Sequence, residues 1–402
     1  MIDRRGLVCV VACAAWGCPG GGEEVEEDAG AEVGADAGGG VEDAGGGSEE
    51  VGGGPEDAGR VELPRGLECP SDLSGEVVGQ SAQGRALAVT SAGVFWLAGE
   101  GGRLTVGPPG GPRLDLGPDA ELADLAARGD GEVCAIWRDG EEGEVKYACS
   151  PEFAVESTSG VPATRALVLA QGERLCTETS CVESEAAYAF YHDENNTAAA
   201  ATRFMGLWTG SVFGEQPLGR FGDALAWEGR PFACLVDSAQ RGAVIAYGEQ
   251  SAQMERRATE DELLFRGSPG VDQCRMAAVD GGVEVVWFGG GFGDYEVRLG
   301  TYSPYDPETG TGPTYVSAPL ELGLENPGYT VAGLGSDLAV AYDVGRGVRL
   351  ARRVGGAWGD EELAPAGFAN VGTPRLASGP DGSLHLVAVG EEGAAYWRWC
   401  GP

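Results

Sequence analysis

QCRMAAVDGGVEVVWFGGGFGDYEVRLGTY, residues 273–302, divides into an apolar strand, a tight turn at Asp280-Gly281-Gly282, a second apolar strand, a glycine-rich link and a third strand of alternating character. Asp and Gly bend the chain at low cost or accept positive φ, and period-2 alternation is the mark of a half-buried strand. Three other stretches follow the same order: LADLAARGDGEVCAIWRDGEEGEVKYACS (122–150), GYTVAGLGSDLAVAYDVGRGVRLARRV (328–354) and PRLASGPDGSLHLVAVGEEGAAYWRWC (374–400). Weaker copies begin near Arg85, Arg165 and Asp223, so unit starts fall at about 85, 122, 165, 223, 274, 329 and 375. These starts lie 37 to 58 residues apart, which suits four-stranded β-propeller blades. The last unit stops after three strands, and an unmatched early strand, Glu76 to Gly79, is available to complete it. The expected fold is all-β: a propeller of about seven four-stranded blades, closed by a terminal blade shared between the chain ends, which removes exposed sheet edges. Trp96, Trp137, Trp287 and Tyr342 recur near the end of the second strand and are expected to pack between blades.

The N-terminus has a different character. In MIDRRGLVCVVACAAWGC, Arg4 and Arg5 precede an apolar run from Gly6 to Trp16. That run is too short for a membrane-spanning helix, which needs roughly 20 residues, and it suits an export signal. Ala15-Trp16-Gly17-Cys18 resembles a bacterial lipobox, which implies that Cys18 is lipidated and begins the mature chain. Val10-Val11-Ala12-Cys13 matches the lipobox pattern better but would shorten the apolar region. From Pro19 to Gly59 there are thirteen Asp or Glu, fifteen Gly and no Lys, Arg or aromatic residue. Such a segment has little to bury and repels itself, which predicts a disordered, extended tether. The expected organisation is therefore a signal at 1–17, the lipidated cysteine and tether at 18–60, and the propeller at 61–402, with an address in the cell envelope as an outer-membrane-anchored lipoprotein. The formal charge of −36 and the lack of a basic stripe exclude a nucleic-acid partner.

After Cys18 come Cys69, Cys134, Cys149, Cys176, Cys181, Cys234, Cys274 and Cys400. An even set in an exported chain predicts disulfides. If the 138–144 link joins antiparallel strands symmetrically, Ile136 faces Tyr147 and Cys134 faces Cys149. Cys69 precedes the early strand and Cys400 ends the last unit, so a bond between them would lock the ring. Cys176–Cys181 suits a local bridge, which leaves Cys234–Cys274 to join neighbouring blades. No Cys-x-x-Cys occurs, so no zinc or other metal site is expected, and nothing in the sequence calls for a cofactor.

Catalytic signals are sparse. The two histidines are His192, in Tyr191-His192-Asp193 and expected on a solvated loop, and His385, expected on the other face of the alternating strand Ser383-Leu384-His385-Leu386. Acidic pairs such as Asp139/Glu141 and Glu391/Glu392 could serve glycoside hydrolysis, but so acidic a chain produces such pairs by chance. The Gly289–Gly293 run has no helix behind it to hold a phosphate and is expected to be a flexible loop presenting Phe292 and Tyr295.

The Asp-Gly turns, the Val-Ala-Tyr-Asp strand end at 340–343, Val-Arg-Leu-Ala-Arg-Arg at 348–353 and Gly-Gly-Ala-Trp at 355–358 resemble the sialidase-like (BNR-type) β-propellers of secreted bacterial proteins. The resemblance implies architecture rather than activity: a full Ser-x-Asp-x-Gly-x-Thr-Trp box is absent, and no arginine triad with a Tyr/Glu pair aligns. The reading that follows is a non-enzymatic, monomeric binding or scaffolding propeller that recognises a protein or a glycan. A glycosidase or lyase of the same fold, and an envelope-assembly lipoprotein, are the alternatives. The longest aromatic loops expected are 191–213 and 288–305, and Trp208, Phe292 and Tyr295 are the expected anchors of a partner-binding patch.

Overall fold

The computed structural model describes residues 76–79 and 83–399, apart from 130, 141–142, 159, 177–180, 196–197, 213–219, 237–241, 247–273, 292–293, 304–313, 321–327, 344–346, 364–373 and 391–392. The signal, Cys18, the tether, Cys69, Phe292 and Cys400 lie outside the described residues.

Seven antiparallel sheets make up the described fold, and their inner strands are Gln83–Thr90, Ala123–Arg128, Leu167–Cys176, Arg220–Trp227, Cys274–Val279, Tyr329–Leu334 and Arg375–Ser378. These define blades 1 to 7. Each inner strand packs beside that of the next blade, and the seventh packs beside the first, so the ring is closed. Six sheets have four strands and blade 4 has three among the described residues. Blade 7 is completed by Glu76–Gly79, which pairs antiparallel with Gly393–Trp399 and sets Glu76 opposite Tyr396. The chain ends therefore share one blade, as the incomplete last repeat requires.

The reason these sequences form blades lies in the second strands. In Glu132–Arg138, Val133, Ala135 and Trp137 face blade 1 while Cys134 and Ile136 face blade 3, and all five are buried. A strand covered on both faces carries a continuous apolar run rather than an alternating one. The same division recurs around the ring: seven apolar clusters occur among the described residues, one at each blade junction. Trp96, Trp137 and Tyr342 are almost wholly buried in these junctions, as expected, and the side chain of Trp287 is outside the description. Third strands do alternate, with Val145 and Tyr147 buried around a half-buried Lys146. The turns between first and second strands use left-handed glycines where φ demands them, such as Gly281 at +88°.

Two expected bridges are present. Cys134 bonds Cys149 within blade 2, directly across the second and third strands, and Ile136 faces Tyr147. Cys234 bonds Cys274 and links blade 4 to blade 5. Cys176 and Cys181 face each other in register across blade 3, with their side chains outside the description.

Three expectations are corrected. The 191–213 stretch is mostly strand: Cys181–His192 ends there, followed by Ala198–Phe204 and Leu207–Val212. Much of 288–305 is strand as well, because Gly282–Gly291 continues through the glycine run and Tyr295 lies in Asp294–Ser303 opposite Gly290. His192 is not on a solvated loop. It closes a strand, is fully buried and packs its ring 5.2 Å from that of Phe221 in blade 4.

Candidate functional site

Trp208 stands on the outer strand of blade 3, directly opposite Arg203 on the third strand. Phe204 to Leu207 turn the chain between them, and Met205 and Leu207 are 82% and 70% exposed at the tip. Blade 2 supplies the other half of the cluster: Glu156 from its outer strand and Tyr147 from its third. Arg203 donates from Nε and Nη2 to Glu156 Oε1 and Oε2, at 2.5 and 3.1 Å. The indole N–H of Trp208 donates to Glu156 Oε1 at 3.2 Å, and its ring meets Tyr147 edge-on with centroids 5.3 Å apart. The Arg203 guanidinium lies 5.2 Å over the Tyr147 ring. Hydrogen bonding by the Glu156 carboxylate raises the Arg203 pKa, and burial raises that of the Tyr147 hydroxyl. The cluster is partly exposed, since the Arg203 and Glu156 side chains keep 23% and 35% of their surface accessible. A rigid aromatic edge beside a planar, fixed acid–guanidinium pair suits a ligand that presents both apolar C–H surface and hydroxyl groups.

Of the three residues expected to anchor a partner, only Trp208 has a described side chain, and it is a strand residue at a blade junction rather than a loop tip. Arg203 and Glu156 were missed. The available signal was an Arg-x4-Trp spacing that recurs at 353–358, where Arg353 again faces Trp358 across third and fourth strands. The second copy is closed: Arg353 pairs at 2.8 Å with Glu284 of blade 5, whose side chain is only 5% exposed. It staples two blades together.

A second polar assembly rings the axis. At equivalent positions near the start of each inner strand stand Arg85, Asp124, Val168, Asp223, Arg275, Thr330 and Arg375, and all seven line a cavity of about 360 Å³. Inner strands turn a backbone edge towards the axis, and several of these side chains satisfy it. Asp124 accepts the N–H of Leu169 in blade 3, Asp223 that of Met276 in blade 5, and Thr330 that of Leu376 in blade 7, at 2.8, 2.9 and 3.4 Å. Arg375 donates to the carbonyl of Arg85 at 2.7 Å, and Arg275 donates to that of Gly222. Burial pushes Asp124 up to about 7, pushes Asp223 up as well, and lowers Arg375 to about 10.

His385 belongs to a third arrangement. Its Nε2 meets Ser383 Oγ at 2.7 Å and its Nδ1 meets the Tyr396 hydroxyl at 2.6 Å, while Asp381 accepts from the serine. A nucleophilic triad needs its carboxylate on the far side of the imidazole, orienting the base. Here the acid is on the serine side, and Ser383 and His385 are buried at 1% and 2% exposure. Burial lowers His385 to about 4, so Ser383, the neutral imidazole and Tyr396 form a core hydrogen-bond network that ends on the exposed Asp381 carboxylate. Among the described residues, no group of three or more His, Cys, Asp or Glu is placed to hold a metal ion.

No protein-family model matches this chain, and no curated protein matches it in sequence. Among solved structures it is similar to the BP39L lectin of Burkholderia pseudomallei, with a TM-score of 0.52 at 14% identity over 81% of this chain and 99% of that one. What the two share is the fold. The six-bladed β-propeller lectin of Aleuria aurantia aligns at a TM-score of 0.46 and 14% identity, over 70% of this chain and 94% of that one. The polysaccharide lyase Uly1 aligns at 0.48 and 10%, over 79% and 90%.

Proposed function

We propose that this protein is a glycan-binding propeller, displayed at the bacterial cell envelope on an acidic tether whose lipidated Cys18 holds it to the membrane. The observation that carries the binding reading is the half-open junction of blades 2 and 3, where Trp208, Arg203 and Glu156 fix an aromatic edge beside a bidentate polar pair. Sugars present apolar C–H faces together with hydroxyls, and this pairing of surfaces recognises both. The fold shared with the BP39L lectin supports the same reading.

A glycan array probed with the full chain, followed by titration of any hit, tests it. Trp208→Ala, checked for retained fold, is expected to weaken binding by about tenfold or more, in keeping with loss of a central aromatic anchor. A folded Trp208→Ala protein that binds the same glycan unchanged removes this junction as the site. Anchoring is tested separately: Cys18→Ala should abolish labelling by radioactive fatty acid and release the protein from membranes, and unchanged labelling would exclude Cys18 as the lipidated residue.

A further inference from the structure

The ring of charged residues around the axis is divided by sign. Arg275, Arg375 and Arg85 come from blades 5, 7 and 1, with the Thr330 hydroxyl of blade 6 among them, and together they form a continuous cationic arc. Asp124 and Asp223 come from blades 2 and 4, flank Val168 of blade 3, and form the opposite, anionic arc. Of the three arginines, Arg85 is committed to Asp119 at 3.2 Å. Among the described residues, no carboxylate lies within ion-pair distance of Arg275 or Arg375.

Both are instead pinned by backbone carbonyls. Arg275 uses Nη1 on Gly222 and Cys274, and Arg375 uses Nε and Nη1 on Arg85 and Pro374. A guanidinium has five N–H donors, so each keeps donors to spare in a fixed orientation. The acids are pinned too, with Asp124 accepting from Leu125 and Leu169 and Asp223 from Ala224 and Met276. A carboxylate offers about four acceptor sites, so each has capacity left over. Glu121 lines the same cavity and adds to the acidic side. Two guanidinium groups and two carboxyl groups are therefore partly desolvated and line one space without a direct ion pair among them. Enclosing charges without direct partners is costly.

We propose that this cavity is a binding site for a small zwitterion, of the α-amino acid class, whose carboxylate is taken by Arg275 and Arg375 and whose ammonium is taken by Asp124 and Asp223. A ligand carrying both charges neutralises both arcs at once, which neither an inorganic anion nor a neutral sugar can do. At about 360 Å³ the cavity has room for a molecule of that size. The site is separate from the junction of blades 2 and 3 and does not depend on the glycan reading.

The full-length protein, screened by ligand-observed NMR against the free L-α-amino acids, tests the proposal. Each binder is then compared with its N-acetyl form, which lacks the cation, and its C-terminal amide, which lacks the anion. At least one free amino acid is expected to bind, and each blocked form to bind about tenfold more weakly or worse, because each loses a charged hydrogen-bonding group. Asp223→Asn is expected to weaken the free amino acid by a similar factor while leaving affinity for the N-acetyl form and for any glycan unchanged. Should that variant not fold, the comparison of blocked ligands on the unaltered protein decides. Failure of every free amino acid to bind, or an N-acetyl form that binds as tightly as its parent, overturns the assignment.

Discussion

Two ionisable residues, one in the core and one lining the axial cavity, give the protein opposite responses to pH. His385 is held neutral between Ser383 and Tyr396, and burial lowers it to about 4. The unfolded chain therefore binds a proton that the native protein refuses. Its contribution is complete above the ordinary histidine value of about 6.5 and is lost as pH falls from there towards 4, a change on the order of 3 kcal/mol. Asp124 runs the other way. Its folded value, raised by burial to about 7, lies above the unfolded one, so its contribution is present in acid and fades as pH rises from about 4 to 7. Denaturant midpoints across pH should separate the two. The stability of His385→Gln relative to wild type is expected to improve as pH falls from 6.5 to 4, and that of Asp124→Asn to improve as pH rises from 4 to 7. A flat difference for either variant would show that the residue does not titrate in that window.

At the scale of the strand, legibility depended on whether one repeat carried the information alone. Inner-strand starts were readable because an apolar run, a glycine-bearing turn and a second run follow in order: the starts expected at 274, 329 and 375 coincide with the strands. Ala198–Phe204 was misjudged because four successive alanines have weak strand preference, yet Ala198 to Ala201 are at most 1% exposed and packing between blades decides their conformation. The polar run Asp193 to Asn196 made His192 look like loop, although His192 is the last residue of the strand. The glycine run at 289–291 was judged by flexibility, and the long hairpin partner Asp294–Ser303 supplies the pairing that keeps it extended. The charged ring was invisible for a different reason. Its members sit one per repeat, and only their place near the start of each inner strand unites Arg85, Asp124, Asp223, Arg275, Thr330 and Arg375. Trp208 was singled out for its aromatic ring, whereas Glu156 comes from another blade, so their meeting depends on how neighbouring sheets pack.

For the whole molecule, closure of the ring rests on a short strand. Glu76–Gly79 makes three paired positions with the third strand of blade 7, with a register shift between Val77 and Gly79, and it is the outermost member of that sheet. Inside, the junction of blades 7 and 1 is held by Trp96, Ala98, Val387, Ala394 and Tyr396, and by Arg375 donating to the carbonyl of Arg85. That packing joins the inner and middle strands of the two blades. Cys69 lies seven residues before this strand, and Cys400 immediately follows Trp399 at the end of its partner. A disulfide between them would tie the closing strand to the strand it pairs with across nearly the whole chain. Closing so long a loop is expected to contribute roughly 2–5 kcal/mol. Non-reducing peptide mapping of the native protein should therefore recover Cys69 and Cys400 in one linked fragment. After reduction, hydrogen exchange should rise first in 76–79 and 393–399 and only later in the second strand of blade 6, Asp337–Asp343, which holds no cysteine and is buried on both faces. A fragment linking Cys69 to any other cysteine, or loss of protection in the second strand of blade 6 together with the terminal strands, would show that closure rests on apolar packing between blades 7 and 1 rather than on a bond between the chain ends.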